Sequence, residues 1–228
     1  MTIAILGAMQ EEIEPLLEYF DDVEVVEYAK NKYYKTKYNS HDIVLAYSKI
    51  GKVFATLTAT TLIEKFGAEV VLFSGVAGAI SDELKIGDLI VAKGLSQHDL
   101  DITAFGHPHG FVPEGEVCVN ADKNLIELSH QVAKELGIEL KEGIIATGDQ
   151  FVASSERKNW IGETFGADAL EMEGASVAVV CDAFDVPFFV LRAISDSADM
   201  DAGFDFDEFL KSSAKVSANF IIKMVDKL

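Results

Sequence analysis

The sequence predicts an α/β fold with a mixed, largely covered sheet, and three observations lead to this prediction. Apolar, β-rich runs alternate with helix-period segments from one end of the chain to the other. Several of these runs are too continuously apolar for a sheet that is exposed on one face. The tyrosine-rich stretch Glu24–Asn39 is typical of an antiparallel hairpin, so the sheet is expected to be mixed rather than strictly parallel.

The predicted elements follow one another without a linker or an internal repeat, so one domain spanning residues 1–228 is expected. Besides the hairpin, the predicted strands are Thr2–Leu6, Asp42–Ser48, Glu69–Ser74, Asp88–Ala92, Glu142–Thr147, Ala169–Met172 and Pro187–Ser195. The predicted helices are Gln10–Phe20, Lys52–Phe66, Asp122–Leu136, Ser155–Phe165, Glu173–Phe184 and Phe206–Leu228. The one long irregular stretch, His98–Glu114, is rich in aromatic and apolar residues, which favours a functional loop over disorder.

Composition limits the possible partners. The formal net charge of −19 would repel nucleic acid and anionic membrane surfaces. No segment is long and apolar enough to span a bilayer, and no signal peptide precedes the first strand, so a cytoplasmic protein is expected. Its two cysteines, Cys118 and Cys181, form neither a disulfide framework nor a zinc motif, and we expect no metal and no cofactor.

Acidic residues follow three of the predicted strands. Glu11 and Glu12 lie in the first turn of a helix just after the strand TIAIL, at the edge where open α/β sheets place their ligands, although a favourable helix dipole alone would explain one of the two acids. Glu173 follows the strand ALEM and could accept hydrogen bonds from vicinal ribose hydroxyls. Asp196 ends the most apolar strand; it could protonate a purine nitrogen or form a structural ion pair with Arg192.

Three acids at the ends of separate strands are typical of a glycosidic hydrolase, in which one acid activates the leaving group and another activates water. They do not distinguish an O-glycoside from an N-glycoside. The small-residue run LFSGVAGAI could bring backbone amides close to a phosphate or a ribose, or could simply be a tight strand exit.

At these residues the chain resembles the 5′-methylthioadenosine/S-adenosylhomocysteine nucleosidase family of the purine nucleoside phosphorylase superfamily. The resemblance runs nearly end to end through GAMQEEIEP, YSKIGKV, FSGVAG, HDLDITAFGHP, ATGDQF, EMEGASVA and RAISDSAD, in the family's order. It implies a three-layer fold with a central, twisted sheet. Four motifs of this chain are similar in sequence to those of the family branch that also hydrolyses 6-amino-6-deoxyfutalosine on a route to menaquinone. These motifs are KIGKV, GVAGA, FGHPHGFVPE and MEGASVA.

The resemblance also implies roles for single residues. Glu12 would activate the attacking water, Asp196 would protonate adenine N7, and Arg192 would help to order Glu12 and its water. Glu173 would hold the ribose hydroxyls above Met172, with Phe151 stacking on adenine and the backbone of Val152 contacting its edge. The positions that line the pocket for the 5′-substituent are Met9, Ile50 and Phe206.

A homodimer is implied as well, because Ile102, Phe105 and Pro113 match residues that the family contributes from a second subunit. Two positions depart from the pattern. Val76 replaces a frequent serine and so removes a hydroxyl near the sugar and water, and His107 replaces a frequent tyrosine and so changes the rim of the 5′ pocket.

Two other functions remain to be weighed. A purine nucleoside phosphorylase shares the superfamily fold but needs cationic donors for phosphate, and the chain has only two arginines. In addition, Glu12 would repel phosphate. A binding protein without catalysis could use the same pocket, but it would not need both Glu12 and Asp196.

Overall fold

The computed structural model describes residues 1–111, 113–196 and 206–228; the side chains at 196 and 206–208 lie outside this description. The strands are β1 (Thr2–Gly7), β2 (Glu24–Tyr28), β3 (Asn31–Tyr38), β4 (His41–Tyr47), β5 (Val70–Ala79), β6 (Leu89–Gln97), β7 (Cys118–Asn120), β8 (Leu140–Thr147), β9 (Ala169–Glu171) and β10 (Phe188–Asp196). The helices are α1 (Gln10–Leu17), α2 (Lys52–Glu64), α3 (Lys123–Leu136), α4 (Ser155–Phe165), α5 (Gly174–Ala183) and α6 (Phe206–Val225).

The strands form one mixed sheet, which confirms the predicted class. β1 lies between β4 and β5 and is parallel to both, whereas β2, β3 and β4 pair in antiparallel fashion, as the hairpin prediction requires. On the other side of β5, the hydrogen-bonded neighbours β5, β10, β6, β8 and β9 close on themselves. The sheet is therefore open at β2 and closed into a small barrel at the other end.

The helices cover the sheet in two groups, giving the expected three layers. Helices α1 and α3 both pack on α6, which also contacts β5 and β10. Phe220 of α6 stacks on Phe189 of β10, with the ring planes nearly parallel. Helix α5 packs against α2 on one side and several strands on the other. Its sequence GASVAVVCDA is mostly buried, because small residues allow a helix to lie close to both layers.

Two strands run five residues beyond their predicted ends, and the first of them lines the cavity described below. β5 continues through the run GVAGA to Ala79 instead of ending at Ser74. Its second half is a strand because Gly78 pairs with Leu170 of β9 and with the end of β10, so tertiary pairing outweighs the low β-propensity of glycine. β6 extends to Gln97, and the short strand β7 was not predicted.

Within the predicted loop 98–114, Thr103–Phe105 form a single 3-10 turn. Over the described parts of the chain, no helix is both long and apolar enough to cross a membrane.

Candidate active site

A cavity of about 240 Å³ lies where β1, β5, β9 and β10 end. It brings together most of the residues that the sequence singled out, from five separate segments of the chain. Its lining comprises Ala8, Met9, Glu12, Ile50, Val76, Ala77, Gly78, Gln150, Phe151, Val152, Leu170, Glu171, Met172, Glu173 and Ser195. None of these described lining residues is a lysine or an arginine, whereas three are glutamates.

Glu12 is held by backbone amides rather than by a side-chain partner. Its Oε2 accepts hydrogen bonds from the N–H groups of Ala8 and Met9 at 2.6 and 3.0 Å, and its Oε1 accepts one from Val76 at 3.2 Å. The first two donors lie in the turn between β1 and α1, where backbone N–H groups are free to bind an acid. Burial raises the pKa of Glu12, while the charge of Arg192 and these amides oppose that rise.

Arg192 forms its ion pair with Glu171. Its Nη2 lies 2.8 Å from Glu171 Oε2, both side chains are almost completely buried, and the guanidinium stacks on the ring of Phe73 at 4.0 Å. Glu171 also accepts hydrogen bonds from the Thr147 hydroxyl and from the backbone amides of Glu173 and Gly174. Arg192 therefore neutralises the best-hydrogen-bonded carboxylate of the cavity and acts on Glu12 through its charge.

Glu173 has the fewest hydrogen bonds of the three glutamates. Its Oε1 accepts a hydrogen bond from the N–H of Gly51 at 2.7 Å, and the side chain is buried at the start of α5. Burial, followed by the nearby charge of Glu171, raises its pKa to about 8. At neutral pH, Glu173 is therefore mostly protonated.

The walls of the cavity are apolar and its mouth is open. Val152 is buried and Met172 is half-buried, whereas Ile50 and Phe151 expose 57% and 65% of their surfaces. Because exposed apolar side chains at a mouth can cover an entering ligand, the rim is suited to a partly apolar molecule. Val76 carries an apolar side chain in place of the frequent serine. This difference leaves its contact with Glu12 intact, because the donor to Glu12 is the backbone N–H of Val76.

Two predicted residues lie outside the described side chains. The backbone of Asp196 is the last residue of β10 and pairs with Gly78, which borders the cavity, but its carboxyl group is not described. Phe206 begins α6, and its side chain is likewise not described. The predicted roles of both side chains therefore stay predictions.

The three residues predicted to act from a second subunit do not line the cavity of their own chain. Ile102 is half-buried, Pro113 is exposed, and Phe105 on the 3-10 turn exposes 82% of its surface. His107, at the second departure from the family pattern, stacks on Phe111 in the same loop.

Sequence reasoning gave no role to Glu171, and it missed Gly51 as a donor. The motif EMEG contained the signal for Glu171, because an acid inside an apolar strand requires a partner. Gly51 had no such signal. Its contribution is a backbone N–H, presented at a φ of 98° that glycine adopts without strain.

Known proteins resemble this chain over its whole length. Residues 2–226 match the family described as the phosphorylase superfamily. An aminodeoxyfutalosine nucleosidase of Campylobacter jejuni is 60% identical over 228 residues, covering 100% of both chains, and one of Helicobacter pylori strain J99 is 54% identical, covering 99% of both. The crystal structure of a 5′-methylthioadenosine/S-adenosylhomocysteine nucleosidase of C. jejuni superposes with a TM-score of 0.98 at 61% identity, covering 100% of both chains.

The fold, the acidic residues of the cavity and the similarity to nucleosidases thus define an enzyme that acts on N-glycosyl compounds. The chain belongs to the phosphorylase superfamily, and within it to the nucleosidases, which are hydrolases.

Replacing Gly75 should disturb the Glu12 carboxylate while leaving the fold intact. A Cβ at this position would lie 2.8 Å from Glu12 Oε1 and 3.2 Å from Arg192 Nη1, both of them buried groups that would have to shift. We expect Gly75→Ala to lower nucleosidase kcat by about 100-fold, because small displacements of catalytic groups have large effects. The measurement is the rate of base release alongside thermal unfolding. Wild-type kcat in a folded variant would show that the position of Glu12 is not critical.

Proposed function

We propose that this chain hydrolyses the N-glycosidic bond of 5′-substituted adenine nucleosides and releases adenine. The substrates proposed are 5′-methylthioadenosine, S-adenosylhomocysteine, 5′-deoxyadenosine and 6-amino-6-deoxyfutalosine. The names of the similar proteins support this substrate class. The observation that carries the hydrolytic chemistry is the set of three buried glutamates in a lining whose described residues include no lysine or arginine.

Glu12 is proposed to accept a proton from the attacking water. A pKa raised by burial makes it a stronger base than an exposed glutamate, and its three backbone contacts fix its orientation. As the glycosidic bond breaks, positive charge develops on the ribosyl group, and the neighbouring carboxylates stabilise it. Arg192 limits the mutual repulsion of these carboxylates through its ion pair with Glu171 and, by this proposal, helps to order Glu12 and its water.

Asp196 is proposed to protonate adenine N7, which makes adenine a neutral leaving group. The position of its backbone at the end of β10, beside Gly78 of the cavity lining, supports this assignment. The base would stack on Phe151, with its edge against the backbone of Val152.

Glu173 is proposed to bind the ribose hydroxyls, with Met172 beneath the sugar. A carboxylate accepts hydrogen bonds from two vicinal hydroxyls, whereas a protonated carboxyl group accepts them less well. Nucleoside binding would therefore favour the ionised form of Glu173 and release its proton. The 5′-substituent would lie against Met9, Ile50 and Phe206, at the open end of the cavity.

A homodimer is proposed to complete the 5′ pocket through Ile102, Phe105 and Pro113 of the partner subunit. Exposed apolar residues support this proposal. In addition to Phe105, three apolar residues on the outer face of α2, next to the cavity mouth, are exposed. They are Val53, Phe54 and Leu57, which expose 76%, 46% and 45% of their surfaces. Such a face is typical of an interface. In the cell we propose a cytoplasmic enzyme of methionine salvage that also serves the futalosine route to menaquinone.

Glu12→Gln should remove the base while preserving the shape of the site. We expect kcat to fall by about 10²–10⁴-fold, with nucleoside affinity changed little. The matched control is Glu11→Gln, an exposed residue of the same helical turn, which should keep wild-type activity. The assay measures adenine release from 5′-methylthioadenosine and from 6-amino-6-deoxyfutalosine, with and without phosphate. Strict dependence on phosphate, with ribose 1-phosphate as product, would instead indicate a phosphorylase.

Nucleoside affinity should increase with pH until Glu173 is ionised. Because its pKa before nucleoside binding is about 8, only about a tenth of the protein at pH 7 holds the carboxylate, and Kd should be about tenfold higher at pH 7 than at pH 9. Binding is measured by calorimetry from pH 6 to pH 9 on the Glu12→Gln variant, which avoids turnover. Glu173→Gln provides the control, with weak binding at every pH. A flat profile in the presence of Glu173 would contradict the assignment.

Mixing two inactive variants should restore activity if the loop acts across a dimer. The Ile102→Ala/Phe105→Ala variant has an intact Glu12, and Glu12→Gln has an intact loop. A random mixture of dimers contains about a quarter of sites with both parts intact. We expect activity towards 5′-methylthioadenosine to rise to about that fraction of wild type. Absence of recovery in a verified heterodimer would contradict the shared site.

A further inference from the structure

Three polar side chains at the edge of the cavity form a closed ring of hydrogen bonds. The Nζ of Lys52 donates to Asp99 Oδ1 at 2.6 Å, and Asp99 Oδ2 accepts from the backbone N–H of Asp149 at 2.8 Å. Asp149 Oδ1 in turn accepts from the backbone N–H of Lys52 at 2.7 Å. We call this set, Lys52, Asp99 and Asp149, the polar ring.

The polar ring joins three segments that are far apart in the sequence, and each segment carries a part of the proposed site. The first segment presents the Gly51 N–H that binds Glu173, one residue before Lys52. The second, beginning at Asp149, continues directly into the cavity residues Gln150, Phe151 and Val152. The third, beginning at Asp99, leads into the loop that holds Ile102 and Phe105. The ring therefore lies where the sugar carboxylate, the base-binding segment and the partner-directed loop meet.

The surroundings of the ring favour a fixed geometry. Lys52 and Asp99 expose only 18% and 16% of their side chains, so their pair is better shielded from water than an ordinary surface ion pair. The adjacent N–H groups of Gly51 and Lys52 at the start of α2 each donate to a carboxylate, Glu173 and Asp149 respectively. At Gly51, φ is 98°, and an added Cβ would lie 3.0 Å from Asp149 Oδ1. The Asp149 carboxylate thus lies directly against the backbone of Gly51, so a change at Asp149 can reach the amide that binds Glu173.

We propose that Lys52, Asp99 and Asp149 are positioning residues that set nucleoside affinity by holding the Gly51 amide and the segment 150–152 at a fixed separation. This proposal rests on the proposed roles of Glu173, Phe151 and Val152. The polar ring touches neither Glu12 nor the reacting bond, so its loss raises KM and leaves kcat largely unchanged. A purely stabilising role would lower the melting temperature without changing affinity.

Two isosteric changes separate these possibilities. Asp99 uses both carboxylate oxygens as acceptors, so Asp99→Asn must direct an N–H towards one of the two donors and break the ring. Asp149 contributes one oxygen to the ring, so Asp149→Asn retains the acceptor that it needs. We expect Asp99→Asn to raise the Kd for adenine and the KM for 5′-methylthioadenosine by at least about tenfold, with kcat within about threefold of wild type. Asp149→Asn should stay within about threefold for all three quantities.

Comparing free adenine with the nucleoside shows which part of the site is affected. Free adenine contacts only the base-binding segment. It should therefore bind more weakly to Asp99→Asn but normally to Glu173→Gln, which loses only the sugar contact. Lys52→Met breaks the ring from the other side and should reproduce Asp99→Asn; it serves as the second variant if Asp99→Asn does not fold. The control is Lys37→Met, which removes a lysine 3.5 Å from Asp42 on the outer hairpin and should change nothing.

The results decide between the proposals. Wild-type affinity in both Asp99→Asn and Lys52→Met, or an equal loss in Asp149→Asn, would overturn the positioning role. Wild-type protein that binds neither adenine nor 5′-methylthioadenosine would instead contradict the proposed function itself.

Discussion

The site depends on the burial of a guanidinium among carboxylates. Arg192 is 1% exposed, and Glu171, Glu12 and Glu173 lie around it with 4–6% exposure. An unpaired charge in such a place is strongly destabilising, and a buried ion pair is tolerated only if its remaining hydrogen-bonding groups are satisfied. Glu171 meets this condition through four donors, namely Arg192, Thr147 and two backbone amides, whereas the Nε of Arg192 has no hydrogen-bond partner among the described residues. This pair allows the other two acids to be held close together without a second cation.

The α/β architecture supplies neutral hydrogen-bond donors for the acids, which the ion pair alone does not. Backbone N–H groups at the starts of helices are unpaired within the helix, and here they are directed at acids. The turn before α1 binds Glu12, the first residues of α5 bind Glu171, and the start of α2 binds Glu173. All three helices begin near the carboxyl ends of strands, where α/β proteins place their ligands. The fold therefore stabilises negative charge at one edge with neutral donors.

The sequence predicted the elements and acids whose signals are local. Glu12 was identifiable because it begins a helix directly after an apolar strand, and Glu173 because it follows one. The Arg192–Glu171 pair was not identifiable, because its partners are 21 residues apart and meet only through strand packing. The polar ring could not be predicted for the same reason, because its members are 47 to 97 residues apart in the sequence. The strand through GVAGA was cut short because glycine favours a break locally, whereas pairing with β9 and β10 extends it.

The electrostatic character of the cavity favours water over phosphate as the nucleophile. Part of the rise in the Glu173 pKa comes from burial, which disfavours any charge, but part comes from the negative charges of Glu171 and Glu12. The negative charges that cause this second part repel a phosphate dianion. The same charges attract and stabilise a positively charged ribosyl group. Arg192 does not reverse this balance, because its charge is already paired with Glu171. The same carboxylates that make Glu173 hard to ionise therefore favour a cationic sugar and neutral water.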